Sequence, residues 1–477
     1  MTDDLTFPDR MGPIDAMFWT LERDRRLRST AIAISILDRA PARADLRAVV
    51  ERACGRIPRL RQRVIEIPGG IFTPVWREDA DFSIEDHLSF VVAPTGSDWS
   101  FVLDLAAQMV TRAFDRDRPL WEFVLVEGLD GGQAALVQKL HHSIGDGAAG
   151  VALMEVLYES PDGLRSIAPP LPAETAGEEN RGPLDLLFEA TRESIRTLPS
   201  SLASSFDALV AAVQRPAETA RYASDEFRAV TGIMVSGPGP WSPIMRARSS
   251  RSVFAALTLP ERALREAGEA HAGTLSDAFL AALGAGLGRY HARYERPVDA
   301  LRAAIPISVR NATDGATVGN RLSIGQFPLK CGTAAVGDRI RGIRTEVRAL
   351  KAPASLAAFE ALARLVNASP TDLILPLILE EMLKNDIVAT SLPGPAAPLQ
   401  LAGSRVETLL AFGPTAGAAV NVTLMSHLGE ATAAFTIDPA AVPDPGAFLE
   451  SMEAGFAEIL GGGSNQPRDT RDAEARG

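Results

Sequence analysis

The chain alternates between strand-like and helix-like stretches on both sides of one irregular segment, and this alternation most restricts its fold. Residues 161–183, PDGLRSIAPPLPAETAGEENRGP, are rich in Pro, Gly and Glu and lack hydrophobic periodicity, which is typical of a linker or loop. Before it, AIAISIL (31–37) and GGQAALVQKLHH (131–142) predict buried strands. After it, SVFAALTL (252–259) predicts a strand and DPGAFLESMEAGFAEIL (444–460) a helix with one apolar face.

The length of 477 residues exceeds the size at which one hydrophobic core usually stops growing, so two mixed α/β lobes are expected. We predict an N-terminal lobe over 1–183, a helical linker region over 184–250 and a C-terminal lobe over 251–460. The polar residues 461–477 are predicted to be a disordered tail.

Composition excludes several classes of function. The formal net charge is −12 and no Lys/Arg-rich run occurs, which argues against a nucleic-acid partner. The only cysteines, Cys54 and Cys331, are far apart in sequence, so a disulfide framework is not expected and a reduced, cytoplasmic setting fits. The most apolar stretch, DLILPLILEEML (372–383), is too short to span a bilayer and contains Pro376.

The segment KLHHSIGDGAAG (139–150) places two histidines where a predicted strand ends and a helix begins. Adjacent residues of a strand point to opposite faces, so His141 and His142 cannot easily share a metal, and we predict no metal site. A neutral imidazole at a strand end has a pKa close to working pH and suits general base catalysis. Gly147 allows a positive φ, and the Asp146 carboxylate can bind backbone amides or an arginine. A purely structural turn with imidazoles satisfied in the core is the alternative.

This segment matches the HHxxxDG signature of the CoA-dependent acyltransferase superfamily, which includes chloramphenicol acetyltransferase and nonribosomal peptide condensation domains. Five further blocks resemble, in the right order, those of the wax ester synthase/diacylglycerol acyltransferase family: GPIDAMFWTLE (12–22), FDRDRPLWEFVLVEGLDGG (114–132), IPISVR with VGNRLS (305–323), SLPGPAAPLQLAGSRV (391–406) and FGPTAGAAVNVTLMSHLGE (412–430). The resemblance implies two chloramphenicol-acetyltransferase-like sandwich lobes with a tunnel at their interface.

The resemblance also implies a reaction. A long-chain fatty acyl group is transferred from acyl-CoA to diacylglycerol or a fatty alcohol, which gives a triacylglycerol or a wax ester. His142 is then the general base, His141 supports it, and Asp146 orients the loop, with Arg310 as its expected ion-pair partner. Acyl-CoA is a co-substrate, and no cofactor or metal is expected. A cytoplasmic protein that associates peripherally with a membrane or lipid-droplet surface is expected, and the sequence does not indicate its oligomeric state.

Several residues are candidate substrate contacts with a structural alternative. Pro119, Leu120 and Trp121 contact the acyl chain or simply pack the lobe. TLSDAF (274–279) has Ser276 and Asp277 where many family members have Asn-Asp, and the alternative is a helix cap formed by Thr274 and Asp277.

Asn421 points into the tunnel or satisfies a strand edge. The changed Asn position also leaves open the same mechanism on a polyketide, glycolipid or amine acceptor. A non-catalytic relative that binds acyl-CoA or lipid is the third alternative.

Overall fold

The computed structural model describes residues 6–67, 73–145, 150, 153–154, 156–159, 239–308, 320, 322–351, 359, 362–364, 366–367 and 371–461. Asp146, Gly147 and Arg310 lie outside these residues. So do most of the predicted linker region and all of the predicted tail except Gly461.

The described part of the chain forms strands and helices in both halves. The strands, in chain order, are β1 (Thr30–Leu37), β2 (Gln62–Ile65), β3 (Val75–Glu78), β4 (Leu88–Val92), β5 (Trp121–Glu127), β6 (Ala134–His141), β7 (Val253–Pro260), β8 (Ala300–Ser308), β9 (Leu322–Lys330), β10 (Ile387–Leu392), β11 (Gln400–Leu401), β12 (Ser404–Phe412), β13 (Val420–His427) and β14 (Glu430–Ile437). The helices are α1 (Pro13–Leu21), α2 (Arg43–Arg56), α3 (Trp99–Thr111), α4 (Glu261–Glu269), α5 (Leu275–Arg293), α6 (Val336–Leu350), α7 (Thr371–Met382) and α8 (Pro445–Ile459).

Two six-stranded sheets organise the fold. Strands β11-β12-β1-β6-β5-β4 form the first sheet in that spatial order, and β7-β14-β13-β10-β8-β9 form the second. Helix α8 packs on α5, and its predicted apolar face of Phe448, Met452, Phe456 and Ile459 is buried in the core of the second lobe. The predicted two mixed α/β lobes are therefore confirmed.

The first sheet is completed by strands from the C-terminal half of the chain. Strand β12 pairs antiparallel with β1, with Ile32 opposite Phe412, and β11 extends the same edge. The predicted C-terminal lobe over 251–460 includes residues 400–412, but strands β11 and β12 within them hydrogen-bond in the first sheet. A strand pairs with any edge that offers unpaired backbone groups and a matching apolar face, whatever its position in the chain. The predicted domain boundaries otherwise stay a prediction.

Within the described residues, no helix is both long enough and apolar enough to cross a membrane. The stretch DLILPLILEEML (372–383) lies almost entirely in α7, which contains Pro376 and ends at Met382.

Candidate active site

The two histidines stand at the end of β6. His141 pairs with Thr30 of β1, and the His142 backbone N–H donates to the Ser29 carbonyl at 2.7 Å. Both side chains line a large cavity between the two sheets, but His141 is almost completely buried and His142 is half-buried. The predicted roles of the two imidazoles stay a prediction.

Helix α1 presents four side chains to the two imidazoles. Positions 15, 18, 19 and 22 follow the i, i+3, i+4, i+7 spacing of one helix face. The Phe18 ring lies 5.1 Å from the His142 ring, and the Trp19 ring lies 5.9 Å from the His141 ring, both between centroids. The other two members of this face are Glu22, whose carboxylate faces Nε2 of His141, and Asp15, whose carboxylate accepts from Asn320 beside His142.

His142 is held by an amide from the second lobe. Its Nδ1 lies 3.1 Å from Oδ1 of Asn320, and Nδ2 of Asn320 donates to the His142 carbonyl at 2.7 Å. The Asn320 backbone N–H donates to the Asp15 carboxylate at 3.2 Å, and Nδ2 also contacts that carboxylate. Since an amide oxygen only accepts, Nδ1 carries the proton in this pair and the imidazole lone pair is on Nε2.

His141 is held by a carboxylate instead. The Ser143 backbone N–H donates to Nδ1 of His141 at 3.1 Å, so the proton lies on Nε2, which faces the Glu22 carboxylate. Burial raises the pKa of Glu22, but the hydrogen bond from His141, together with the Ser29 N–H and the charge of Arg116, outweighs burial. The pKa of Glu22 therefore lies below its ordinary value, and its carboxylate is charged at neutral pH.

The cavity beside His142 has a volume of about 1440 Å³ and runs between the two sheets. Small side chains on the first sheet, among them Ala31 and Ala33 of β1, leave room along this wall. On the second sheet, the cavity is lined by Leu322 and Ile324 of β9, which follow Asn320 in the chain.

Farther along the second sheet the lining becomes polar. Ala304 pairs with Gln326 and with Val388, and Val388 pairs with Asn421, so the two amide side chains belong to one row across four strands. Gln326 lies four residues beyond Leu322 on β9, which corresponds to about 13 Å of extended strand. The cavity therefore has a polar part along this row, beyond the apolar side chains of Leu322 and Ile324 on β9.

Two family models match the chain. Residues 11–279 match the wax ester synthase/diacylglycerol acyltransferase catalytic domain, and residues 318–460 match the WS/DGAT C-terminal domain. The chain belongs to this family. The predicted membership and the predicted acyl-CoA-dependent acyltransferase activity are thereby confirmed at the level of the family.

Relatives and solved structures agree with this assignment. Two Mycobacterium tuberculosis H37Rv proteins with provisional names as diacylglycerol O-acyltransferases are similar: Rv2484c at 29% identity, over 95% of this chain and 92% of that protein, and tgs1 at 26%, over 95% and 96%. The fold resembles the wax ester synthase/diacylglycerol acyltransferase of Marinobacter aquaeolei VT8, with a TM-score of 0.61 and 20% identity over 94% of this chain and 98% of that one. It also resembles the starter condensation domain of rhizomide synthetase, solved in complex with C8-CoA, with a TM-score of 0.58 and 14% identity over 98% of each chain.

In this acyltransferase, the Pro-Leu-Trp segment is part of the core of the first lobe. Pro119, Leu120 and Trp121 are all buried, and none of them lines the large cavity. The Trp121 indole N–H donates to the Leu60 carbonyl at 2.8 Å, and its ring stacks on His87 with centroids 4.7 Å apart. This geometry favours the packing alternative, and a contact with the acyl chain stays a prediction.

Ser276 and Asp277 stand at the start of α5. The Asp277 backbone N–H donates to Oγ1 of Thr274 at 3.2 Å, and the Thr274 N–H donates to the Asp277 carboxylate at 2.8 Å, which is a reciprocal capping box. Neither Ser276 nor Asp277 lines the cavity. The capping alternative describes this pair, and a role in substrate binding has no support in its geometry.

Asn421 does line the cavity. Its Nδ2 donates to the Pro414 carbonyl at 2.8 Å, and its Oδ1 accepts from the Thr423 hydroxyl at 3.3 Å. Of the two alternatives, Asn421 therefore has the one in which it lines the tunnel. Substrate binding by Asn421 stays a prediction.

Five residues around the two histidines were not among the predicted site residues: Asp15, Phe18, Trp19, Glu22 and Asn320. Two patterns in the sequence point to them, namely the helical spacing within GPIDAMFWTLE and the polar Asn320 between two predicted strands. Neither pattern shows which side chains these residues contact, because the two histidines lie far from them in the sequence.

Proposed function

We propose that this acyltransferase transfers a long-chain fatty acyl group from acyl-CoA to diacylglycerol or a fatty alcohol, with His142 as the general base. The observation that carries the proposal is the half-buried His142 imidazole at the wall of a cavity of about 1440 Å³ with a largely apolar lining. This volume exceeds the roughly 300–1,000 Å³ of a site for a drug-sized ligand and suits long hydrocarbon chains.

The reaction needs one base and two aligned substrates. Nε2 of His142 takes the proton of the acceptor hydroxyl, and the hydroxyl oxygen attacks the thioester carbonyl carbon. The C–S bond then breaks, and the CoA thiolate leaves and takes the proton from the imidazolium. The C–O bond formed is the new ester, and no covalent acyl-enzyme is required because the thioester is already activated.

The two cysteines are consistent with transfer that proceeds without a covalent acyl-enzyme. Burial raises the pKa of both Cys54 and Cys331 to about 12, so their thiols stay protonated at neutral pH and are poor nucleophiles. Acyl-CoA is the co-substrate in the proposal, and no further cofactor is invoked.

We place the reaction in the cytoplasm, at the surface of a membrane or lipid droplet. Diacylglycerol and fatty alcohols reside in such surfaces, and an enzyme that draws them into an apolar cavity has to contact the surface reversibly. Co-sedimentation of the protein with phosphatidylcholine vesicles that contain diacylglycerol checks this part of the proposal.

The test of the proposed function is an incubation of the purified protein with palmitoyl-CoA and either dioleoylglycerol or hexadecanol. CoA release and ester formation are followed together, the latter by lipid mass analysis. We expect both products at similar rates with the wild-type protein and with His271→Ala, a matched histidine variant away from the cavity, and formation at least about 100-fold slower with His142→Ala. Activity of His142→Ala equal to that of wild type would overturn the assignment of the base.

A second acceptor class has support from the polar part of the cavity. Nε2 of Gln326 donates to Oδ1 of Asn385 at 3.1 Å, and the buried Arg302 guanidinium lies over the Trp241 ring, 5.4 Å from its centroid. All four residues line the cavity, and they suit an acceptor with a polar body, such as a glycolipid, a polyketide or an amine. The same assay with these acceptors decides between the two classes, and tight acyl-CoA binding without turnover would favour the non-catalytic alternative.

A further inference from the structure

We infer that Asn320 and Asp15 are positioning residues that select the reactive tautomer of His142. Through them, this tautomer depends on the contact between the two lobes. The inference rests on the proposed function, because it assumes that His142 is the general base. It adds two residues to which no role in the reaction has been assigned so far.

The partners of the Asn320 amide fix its orientation. Nδ2 of Asn320 has two partners, the His142 carbonyl at 2.7 Å and the Asp15 carboxylate, and both are acceptors only. A flipped amide would place its oxygen against these two oxygens. The oxygen of the amide therefore has to face Nδ1 of His142, as observed at 3.1 Å.

The orientation of the amide determines the tautomer of the imidazole. An amide oxygen next to Nδ1 is compatible with a neutral ring only when Nδ1 carries the proton, so the basic lone pair is fixed on Nε2. The Asp15 carboxylate polarises the amide that it contacts. Since hydrogen bonds in such chains strengthen one another, this also stabilises the imidazolium that forms during proton transfer.

The contact between His142 and Asn320 joins the two lobes. His142 follows β6 of the first sheet, Asn320 precedes β9 of the second, and Asp15 belongs to α1. Asp15 and Asn320 are 4% and 6% exposed, so their hydrogen bonds form away from bulk water, where a lost partner is costly.

Apolar contacts hold α1 at this interface. Ile14, Met17 and Leu21 of α1 share one buried cluster with Ile374 and Ile378 of α7. The base consequently has its reactive tautomer only when α1 and the second lobe are both in place.

The experiment compares kcat, KM and pH–rate profiles of wild type, Asn320→Ala, Asp15→Asn, Asn320→Asp and the double variant Asp15→Asn/Asn320→Asp. We expect Asn320→Ala to lower kcat by about 10- to 100-fold with little change in KM, as for other residues that orient a functional imidazole. Asp15→Asn should have a smaller effect of the same kind. In Asn320→Asp the new carboxylate faces Asp15, and like charges repel, so activity should fall.

The double variant restores one amide and one carboxylate in exchanged positions and should recover part of that activity. A carboxylate against Nδ1 favours the imidazolium, so the acid limb of the kcat/KM profile should move to higher pH in the double variant. Nitrogen NMR of His142 provides a readout besides activity: a proton on Nδ1 in wild type and a mixture of tautomers in Asn320→Ala.

Asn367→Ala is the matched control. Nδ2 of Asn367 donates to the Pro13 carbonyl of α1 at 2.7 Å, in the same interface as Asp15. Among the described residues, the Asn367 side chain has no hydrogen bond to either histidine. It should change stability at most and leave the pH profile and the tautomer unchanged.

The outcomes separate this inference from the proposed function. Full activity of His142→Ala overturns the base itself. An inactive His142→Ala together with an unchanged kcat, pH profile and tautomer in Asn320→Ala overturns the positioning role alone. Should Asn320→Ala fail to fold, Asn320→Ser, which keeps a small polar side chain, is judged by the same three readouts.

Discussion

His141 and His142 are neighbours in the chain, yet they have opposite surroundings. His141 is 2% exposed, and its ring lies between the Glu22 carboxylate and Ser143. His142 is half-buried, and its ring contacts an amide rather than a carboxylate. Both histidines line the large cavity, so the difference between them lies in burial and in hydrogen-bond partner. Under the proposed function, this difference predicts that the first histidine of the pair contributes mainly to stability and the second mainly to the reaction.

The largest effect that tests this comparison is expected from His142→Ala. A general base typically contributes about 10²- to 10⁴-fold to the rate, so kcat/KM should fall by that factor. The free energy of unfolding should change little, because the side chain is half-buried at a cavity wall. Urea unfolding and the CoA-release assay are measured on the same preparation, and a loss of stability as large as that of His141→Ala would contradict the comparison.

His141→Ala should show the opposite pattern. Removing the imidazole leaves the Glu22 carboxylate, 9% exposed, without the N–H that faces it, and a buried acceptor left unsatisfied costs about 1–3 kcal/mol of unfolding free energy, more when it is charged. Urea unfolding at pH 7 measures the loss. His271→Ala is the control for removal of a histidine elsewhere, and wild-type stability of His141→Ala would show that the pair is not structural.

The pH dependence of stability sharpens the same comparison. The pKa of Glu22 is lowered from 4.5 in the folded protein, so its carboxylate stabilises the fold above the ordinary pKa, and this stabilisation is lost as the pH falls through the lowered value. Glu22→Gln should therefore be less stable than wild type at pH 7, and the difference should narrow below about pH 4.5. Unfolding free energies from urea titrations across this range check the sign, and a difference that widens toward low pH would refute it.

Local sequence patterns predicted those parts of the molecule that depend on neighbouring residues. The apolar face of α8 and the capping box at Thr274 and Asp277 both follow from spacing within a few residues, and both are confirmed. The different surroundings of His141 and His142 follow in the same way from strand geometry.

Long-range pairings could not be predicted in this way. Asn320 is 178 residues from His142 and 305 from Asp15, and a single sequence carries no signal that joins them. The placement of β12 in the first sheet is a further example, because the pairing depends on which edge is open in three dimensions. The candidate contacts at Leu120, Trp121 and Asp277 came from family blocks, and a block can be characteristic of a family for reasons of packing alone.

The smallest expected effect concerns the aromatic side chains that α1 places against each imidazole. The Phe18 ring lies 5.1 Å from that of His142, and such pairs contribute about 0.5–1.5 kcal/mol beyond burial, which corresponds to a roughly 2- to 12-fold change in rate if the contact orients the base. Phe18→Leu should therefore lower kcat/KM by a factor in this range. Trp19→Leu, the matched change beside His141, should lower the free energy of unfolding and leave kcat almost unchanged, because Trp19 touches the structural imidazole. Equal kinetic effects of the two variants would mean that the aromatic side chains of α1 position the whole site and do not each affect one histidine.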